Sequence, residues 1–302
     1  MDYKSAVNFI VNRRRDDLAA AAAFFKRALA RDPEFRVAEL ALRHAELEFA
    51  RGNVAEAEVT ELRRVRDEIV KKRGYGDKLN PPPHCPICGD TGKTRDGFCR
   101  CVKKLAIESR SDSVEFPLRS FDEIDYSLFL PGAKSFVEKT AANLKAIADK
   151  GADAKRKNVN LIGGSGTGKT FLASCFAGES EAVGRTVVFI TAFTFLNLAL
   201  SYHTSFDRGR ADTLAPLLDC DVLIIDDLGT ESMLKNVTAE YLYLVVNQRQ
   251  LRGLTTVITS NLSIDGIAVR YGERIASRLF DRRLCYTAEF DFADIRKIKI
   301  DG

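Results

Sequence analysis

The chain has 302 residues, 45% of them apolar and 29% charged, and carries a net charge of +4. This is ordinary for globular domains and long enough for two of them, while the small basic excess permits a nucleic-acid surface without requiring one. No apolar run approaches the ~20 residues that a membrane span needs, and the first residues lack the basic, apolar, small-residue order of a secretion signal. A cytoplasmic protein is expected, in which seven cysteines point to metal binding or burial rather than disulfides.

From about residue 5 to residue 73 there is almost no Gly or Pro, and the segment reads as helices. Asp32-Pro33-Glu34 has the form of a helix start with Pro in the first turn. The helix that follows would run on Val37, Leu40, Leu42 and Leu47 until Gly52-Asn53 breaks it, and another is expected from Val54 to Lys72. Gly74 to Pro83, with three prolines, marks a boundary. The next stretch, HCPICGDTGKTRDGFCRC, sets Cys85 and Cys88 two residues apart, and Cys99 and Cys101 follow after a glycine-bearing loop. Two close thiol pairs of this kind suit one tetrahedral Zn²⁺ in a closed, structural site. His84, beside Cys85, is an alternative ligand.

Lys103 to Glu115 reads as a short polar helix or linker, Phe116 to Phe129 is aromatic-rich, and Gly132 to Lys150 is an amphipathic helix. Asn158 to Phe171 then reads NVNLIGGSGTGKTF. The apolar run Val159–Ile162 is a buried strand, and Gly163, Gly164, Ser165, Gly166, Thr167, Gly168, Lys169 and Thr170 complete the G-x-x-x-x-G-K-[ST] phosphate loop. Its backbone N–H groups and the following helix N-terminus, from Phe171 on, face polyphosphate oxygens. Lys169 reaches the β and γ phosphates, and Thr170 offers its hydroxyl to Mg²⁺. Strand and helix alternate downstream, which predicts a mostly parallel sheet. Its strands are Thr186–Thr191, Asp221–Asp227, Thr255–Asn261 and Tyr286–Phe290, five with the phosphate-loop strand. The helices between them are Phe193–His203, Val237–Gln250 and most of Ile264–Phe280.

VLIIDDLG places Asp226 at the end of a buried strand, where one carboxylate can hold Mg²⁺ through its water shell. Asp227 is then positioned to orient or deprotonate an attacking water. Asn261 ends the next strand, where an amide can sense the γ-phosphate. RYGERIASRLFDRR supplies five arginines, of which Arg274 and Arg278 share a helix face.

In this order the motifs resemble the AAA+ ATPases. DDLGTE, TSNL and YGERIASRL are similar to the bacterial replicative helicase loaders of the DnaC/DnaI type, and the cysteine knuckle behind a helical region resembles the DnaI-like branch. The resemblance implies a P-loop AAA+ (ASCE) domain over residues 116–302, lacking a full C-terminal lid. It also implies a helicase-gripping helical domain over residues 1–75, with a zinc knuckle and linker over 76–115 between them. It further implies binding of ATP with Mg²⁺ and of single-stranded DNA, self-association through the ATPase domain, and delivery of the hexameric helicase with hydrolysis tied to release. On that resemblance Asn261 is the nucleotide sensor and Arg278 the arginine finger, with Arg274 second; Asp227 stands where many AAA+ proteins have Glu. Phe193, Phe195 and Tyr202 are candidates for base stacking, with core packing expected for at least one of them, and Arg296 is a weak candidate for a late nucleotide contact. The alternatives are an insertion-sequence transposition ATPase of the IstB type, which binds duplex DNA and a transposase, and a nucleotide-dependent binding switch with negligible turnover.

Overall fold

A computed structural model of the chain describes residues 3–95, 97–109, 116–205 and 210–297. The end of the segment expected as a linker, residues 110–115, lies outside the described residues. The chain divides into two compact units, residues 4–102 and residues 103 onward.

In the first unit α1 (Tyr3–Arg31), α2 (Pro33–Ala50) and α3 (Glu56–Arg73) are followed by a single turn, α4 (Gly76–Leu79). The Asp32-Pro33 helix start is realised: the Asp32 carboxylate accepts the Phe35 N–H at 3.2 Å, and Pro33 occupies the first turn. That cap is tied down from α3, because Asp32 also accepts the Tyr75 hydroxyl at 3.2 Å and pairs with Arg73 at 3.1 Å. Phe35 is buried beneath it, edge-on to Phe25 and Tyr75. The apolar face of α2 differs from expectation. Phe35, Leu42 and Ala45 make the buried stripe, whereas Val37, Leu40 and Leu47 are 66%, 58% and 60% exposed. The positions facing α3 are set by Phe35 and its one-turn repeats, and the other three fall on the far side of the helix. A two-residue hairpin of β1 (Lys93–Thr94) and β2 (Gly97–Phe98) follows, then α5 (Arg100–Glu108).

The second unit opens with two 3₁₀ turns, Phe121–Glu123 and Tyr126–Leu128, and α6 (Pro131–Lys150). Strands and helices then alternate through β3 (Asn158–Gly163), α7 (Lys169–Ala182), β4 (Val187–Thr191), α8 (Ala192–Thr204), α9 (Arg210–Asp219) and β5 (Val222–Leu228). They continue through α10 (Thr238–Leu251), β6 (Thr255–Ser260), α11 (Ile264–Tyr271), α12 (Glu273–Leu279) and β7 (Cys285–Phe290). The five strands form one parallel sheet in the order β4-β5-β6-β3-β7. Both faces are covered, which explains the continuous apolar runs. Val222, Ile224 and Val257 pack toward α6 and α7, while Leu223, Ile225 and Ile258 pack toward α8, α9 and α10. The sequence reading omitted α9, whose interior Pro216 conceals a helix that buries Leu214 and Leu217. Gly272 separates α11 from α12 within the span expected as mostly helical. Among the described residues, no helix is long and apolar enough to cross a membrane.

One buried side chain ties α9, α10 and two strand starts together. Arg249 on α10 is fully buried, and its guanidinium donates to the carbonyls of Leu217 at 2.7 Å and Cys220 at 2.9 Å. It also donates to Thr255 O and to the Thr256 hydroxyl. Burial pulls its pKa below the usual arginine value, so these acceptors are what make the charge tolerable. Arg249→Met would strand them without a donor. We expect a loss of about 3 kcal/mol or more in the unfolding of the second unit, followed by urea titration; an unchanged midpoint refutes the role.

Candidate functional site

The order of the sheet builds the site. β6 lies between β3 and β5, so the phosphate loop leaving β3 and the carboxylates leaving β5 flank a third strand end carrying Thr259, Ser260 and Asn261. Residues 165–171 of the loop line a cleft of about 250 Å³ together with Asp227, Asn261, Ile295 and Arg296. Gly163 ends β3, and its carbonyl and that of Gly164 accept the buried Lys169 ammonium at 2.8 and 2.6 Å. Gly168, in the left-handed region at φ 90°, turns the chain into α7 with no side-chain cap on its first N–H groups. Those donors are left to an anion. Gly166, at φ 72°, holds a left-handed backbone that a side chain would strain, and a Cβ there would displace the Asp294 carboxylate.

Asp227 lines the cleft, and its neighbour Asp226 meets the cleft-lining Thr170 from beneath, although successive side chains of a regular strand alternate faces. The ladder between β5 and β6 runs Ile225↔Ile258 and then Leu228↔Ser260, so two β5 residues stand opposite Thr259. At this bulge Asp227 takes φ 54°, a left-handed backbone rare outside glycine. Thr259 holds the bulge from both sides: its hydroxyl donates to Asp226 at 2.6 Å and accepts the Asp227 N–H at 2.8 Å. The Thr170 hydroxyl lies 3.0 and 3.1 Å from the two Asp226 oxygens. Burial pushes the Asp226 carboxyl above its ordinary range, with the Thr259 bond and then the charge of Asp227 acting in opposite directions. Burial likewise pulls the Lys169 ammonium down, while Asp227 and Asp226 oppose it. A divalent cation between Thr170 and Asp226 would hold that carboxylate ionised.

Two features of the site, an apolar slot and the Glu231 turn, were not read from the sequence, and a third, Arg296, was only a weak candidate. An apolar slot of about 110 Å³ adjoins the cleft, lined by Ile124, Leu128, Phe129, Phe171 and Ile295, and suits a nucleobase. Residues from both flanks of the core, before α6 and after β7, therefore close one end of the site; the Ile295 N–H bonds the Gly166 carbonyl at 2.9 Å. Arg296, discounted in the sequence, lines the cleft and donates to Ser165 at 3.0 Å while pairing with Asp294. Buried Glu231 accepts the Gly229 N–H at 2.9 Å and the Tyr271 hydroxyl, fixing the turn after the aspartates against α11.

Arg274 and Arg278 do not line the cleft of their own chain. Their guanidinium groups lie 4.4 and 5.2 Å from the centre of the Tyr243 ring, and Arg278 donates to the Tyr243 hydroxyl at 3.1 Å. On α8, Phe195 belongs to the core, Tyr202 packs on Tyr241 at 5.3 Å, and Phe193 is 63% exposed.

The four cysteines converge. Cys85 and Cys99 sulfurs are 3.7 Å apart, Cys88 and Cys101 sulfurs 3.6 Å apart, and all four lie within 4.8 Å of one another. Zn–S bonds of about 2.3 Å in a tetrahedron put sulfurs about 3.8 Å apart, close to the two shortest separations here, so the four thiols suit one zinc ion. Burial raises the Cys88 thiol, but bonds from the Gly92 N–H and the neighbouring thiols outweigh it and bring it down to about 7; burial pushes Cys99 and Cys101 up. Asp90, buried with φ 63°, accepts the N–H groups of His84 and Cys85, each at 2.8 Å, and so shapes the first knuckle. The His84 ring is turned away to Asp17, 3.0 Å from its carboxylate.

A parallel sheet of this order, a phosphate loop, and a buried aspartate across an intervening strand define a P-loop nucleotide-binding protein of the AAA+ type. The profile of the family described as IstB-like ATP binding protein matches residues 95–291, and the chain belongs to that family. It is 28% identical to the replicative helicase loader DnaI of Bacillus subtilis (strain 168) over 193 residues, 61% of this chain and 57% of that protein. It is 29% identical to the insertion sequence IS5376 putative ATP-binding protein of Geobacillus stearothermophilus over 139 residues, 45% of this chain and 53% of that one. A crystal structure of the DnaI overlaps 59% of this chain and 90% of its own, at 23% identity and a TM-score of 0.45. The chain spans about half the length of the curated relatives it matches.

The cluster generates a direct test. Protein purified without chelator should carry about one zinc per chain by elemental analysis, and Asp90→Ala should weaken its retention about tenfold or more. Metal-free protein in the unaltered chain would remove the zinc assignment.

Proposed function

We propose that the chain is an ATP-dependent loader that binds the hexameric replicative DNA helicase and delivers it onto single-stranded DNA, with hydrolysis coupled to release. The observation that carries this reading is the likeness to DnaI over 61% of the chain, joined to a complete nucleotide site and a four-thiol knuckle. Residues 163–170 would hold the phosphates of ATP, Thr170 and Asp226 the Mg²⁺ that offsets their charge, and the slot beside Phe129 the base. Asp227 orients or deprotonates the attacking water, and the strained bulge supports this by holding its carboxylate at the cleft rather than on the opposite face of β5. Asn261 reports the γ-phosphate. Arg278, or failing it Arg274, serves the site of a neighbouring subunit, since neither reaches its own.

Residues 1–75 take the helicase. Val37, Leu40 and Leu47 lie at helical spacing on one exposed side of α2 and supply an apolar face for it. Phe193 on α8 is the aromatic best placed to stack on a strand. A second reading, a transposition ATPase acting on duplex DNA, draws on the family description and the likeness to the IS5376 protein.

The two readings part in the test tube. The full chain should co-purify with the replicative helicase of its host, and Leu40→Asp with Leu47→Asp should abolish the complex while leaving ATP binding intact. No complex, together with a preference for duplex over single-stranded DNA at matched salt, would transfer the assignment to transposition. Asp227→Asn should lower multiple-turnover hydrolysis by about 10²-fold or more with ATP binding retained. Turnover negligible in the unaltered chain would instead make the protein a binding switch.

A further inference from the structure

At the far end of the sheet from the nucleotide, where β3 and β7 begin, lies a second cleft of about 400 Å³ that shares no lining residue with the first. Its rim carries Lys150 from the end of α6 and Lys155 and Arg156 from the segment entering β3, all three exposed; its floor includes Ile147, Asn143 and Tyr286. No carboxylate lines it, and none of the three cations pairs with one among the described residues. This differs from Lys145, on the same helix as Lys150, which pairs with Glu179 at 3.9 Å. Three cations gathered around a concavity repel one another unless an anion joins them.

The end of α6 would work against an anion, because the last carbonyls of a helix carry negative partial charge. Arg185 removes that obstacle. Its guanidinium lies across the helix end and donates to the carbonyls of Ala148 and, at 3.0 Å, Asp149. Tyr286 is half-buried at the first turns of β7, steadied by Asn143, whose amide donates to its hydroxyl at 3.3 Å. An aromatic floor beneath a cationic rim matches an unpaired nucleotide unit, base below and phosphates above, rather than a duplex, whose base faces are closed by stacking.

We propose that this cleft binds the sugar-phosphate backbone of a single-stranded nucleic acid, with Lys150, Lys155 and Arg156 on phosphates and Tyr286 against a base. The inference rests on the loader reading for its ligand class and adds a contact surface at the opposite end of the sheet from ATP, apart from Phe193 on α8.

The test is fluorescence anisotropy of a labelled oligothymidylate with the full chain, ATP and Mg²⁺, across a salt series. The variant Lys150→Gln/Lys155→Gln/Arg156→Gln should bind at least about tenfold more weakly, with a slope of log affinity on log salt shallower by about 2, given about 0.7 per phosphate contact. Tyr286→Leu should weaken binding with the slope unchanged, and both variants should bind ATP as the unaltered chain does. Oligonucleotide binding that survives the triple substitution with the same affinity and slope overturns this inference and leaves the loader reading standing. An unaltered chain that binds no oligonucleotide removes both. Displacement of the oligonucleotide by thymidine monophosphate at equal nucleotide concentration would give the cleft to free nucleotides and likewise overturn the proposal.

Discussion

The second unit depends on one buried charge. Asp226 sits inside the protein at a break in β5, with two threonine hydroxyls against its oxygens and the Lys169 ammonium near enough to act on its charge. Two neutral donors do not repay the removal of a carboxylate from water, which is why its proton affinity is raised. The same deficit makes the position favourable for a hard divalent cation. Thr259 couples this to the cleft, since the hydroxyl that steadies Asp226 also receives the Asp227 N–H and so fixes the bulge. A perturbation at Thr259 therefore reaches the Asp226 and Asp227 carboxylates together.

The site has a second layer that the phosphate loop does not announce. Glu231 links the turn after the aspartates to Tyr271, and its own carbonyl accepts Arg270, so the end of β5 is continuous with α11. Burial raises the Tyr271 phenol far above its ordinary value, which keeps it a donor to Glu231. Beyond Gly272, α12 carries Arg274 and Arg278 around Tyr243. A displacement of the aspartate turn thus has a packed route to the arginine helix, made of one carboxylate, one phenol and one guanidinium.

How much of this was legible depends on whether the signal is local. The strands of the sheet are buried on both faces, so they read as apolar runs, and the phosphate loop is contiguous; both were found by inspection. The order of the strands agrees with the AAA+ resemblance. Asp90 was invisible because its task is to accept N–H groups from residues five and six positions earlier, which any turn-forming Asp does in sequence terms. The apolar slot is not legible in the sequence because Phe129 and Ile295 meet only in space. On α2 the sequence reads Val37, Leu40, Leu42 and Leu47 as one apolar run, but three of them face outward, and periodicity alone cannot separate a stripe that packs inside the unit from one that offers itself to another molecule. Pro216 hid α9 by obeying the rule that prolines end helices, at a place where the helix tolerates one.

The position of β3 has a consequence in time. This strand carries the phosphate loop and is among the first of the sheet to be made, yet its neighbours are β6 and β7. Asn158 on β3 accepts the Thr256 N–H from 98 residues further on, and Asn160 reaches Thr287 at a separation of 127. At ribosomal rates of about 5–20 residues per second, roughly 100 residues take about 5–20 s. During that interval a strand whose Val159, Leu161 and Ile162 are destined for the core waits with both edges unpaired, a condition that invites aggregation and chaperone capture in the nascent chain. The nucleotide site, whose loop is synthesised early, is among the last parts of the unit to become complete.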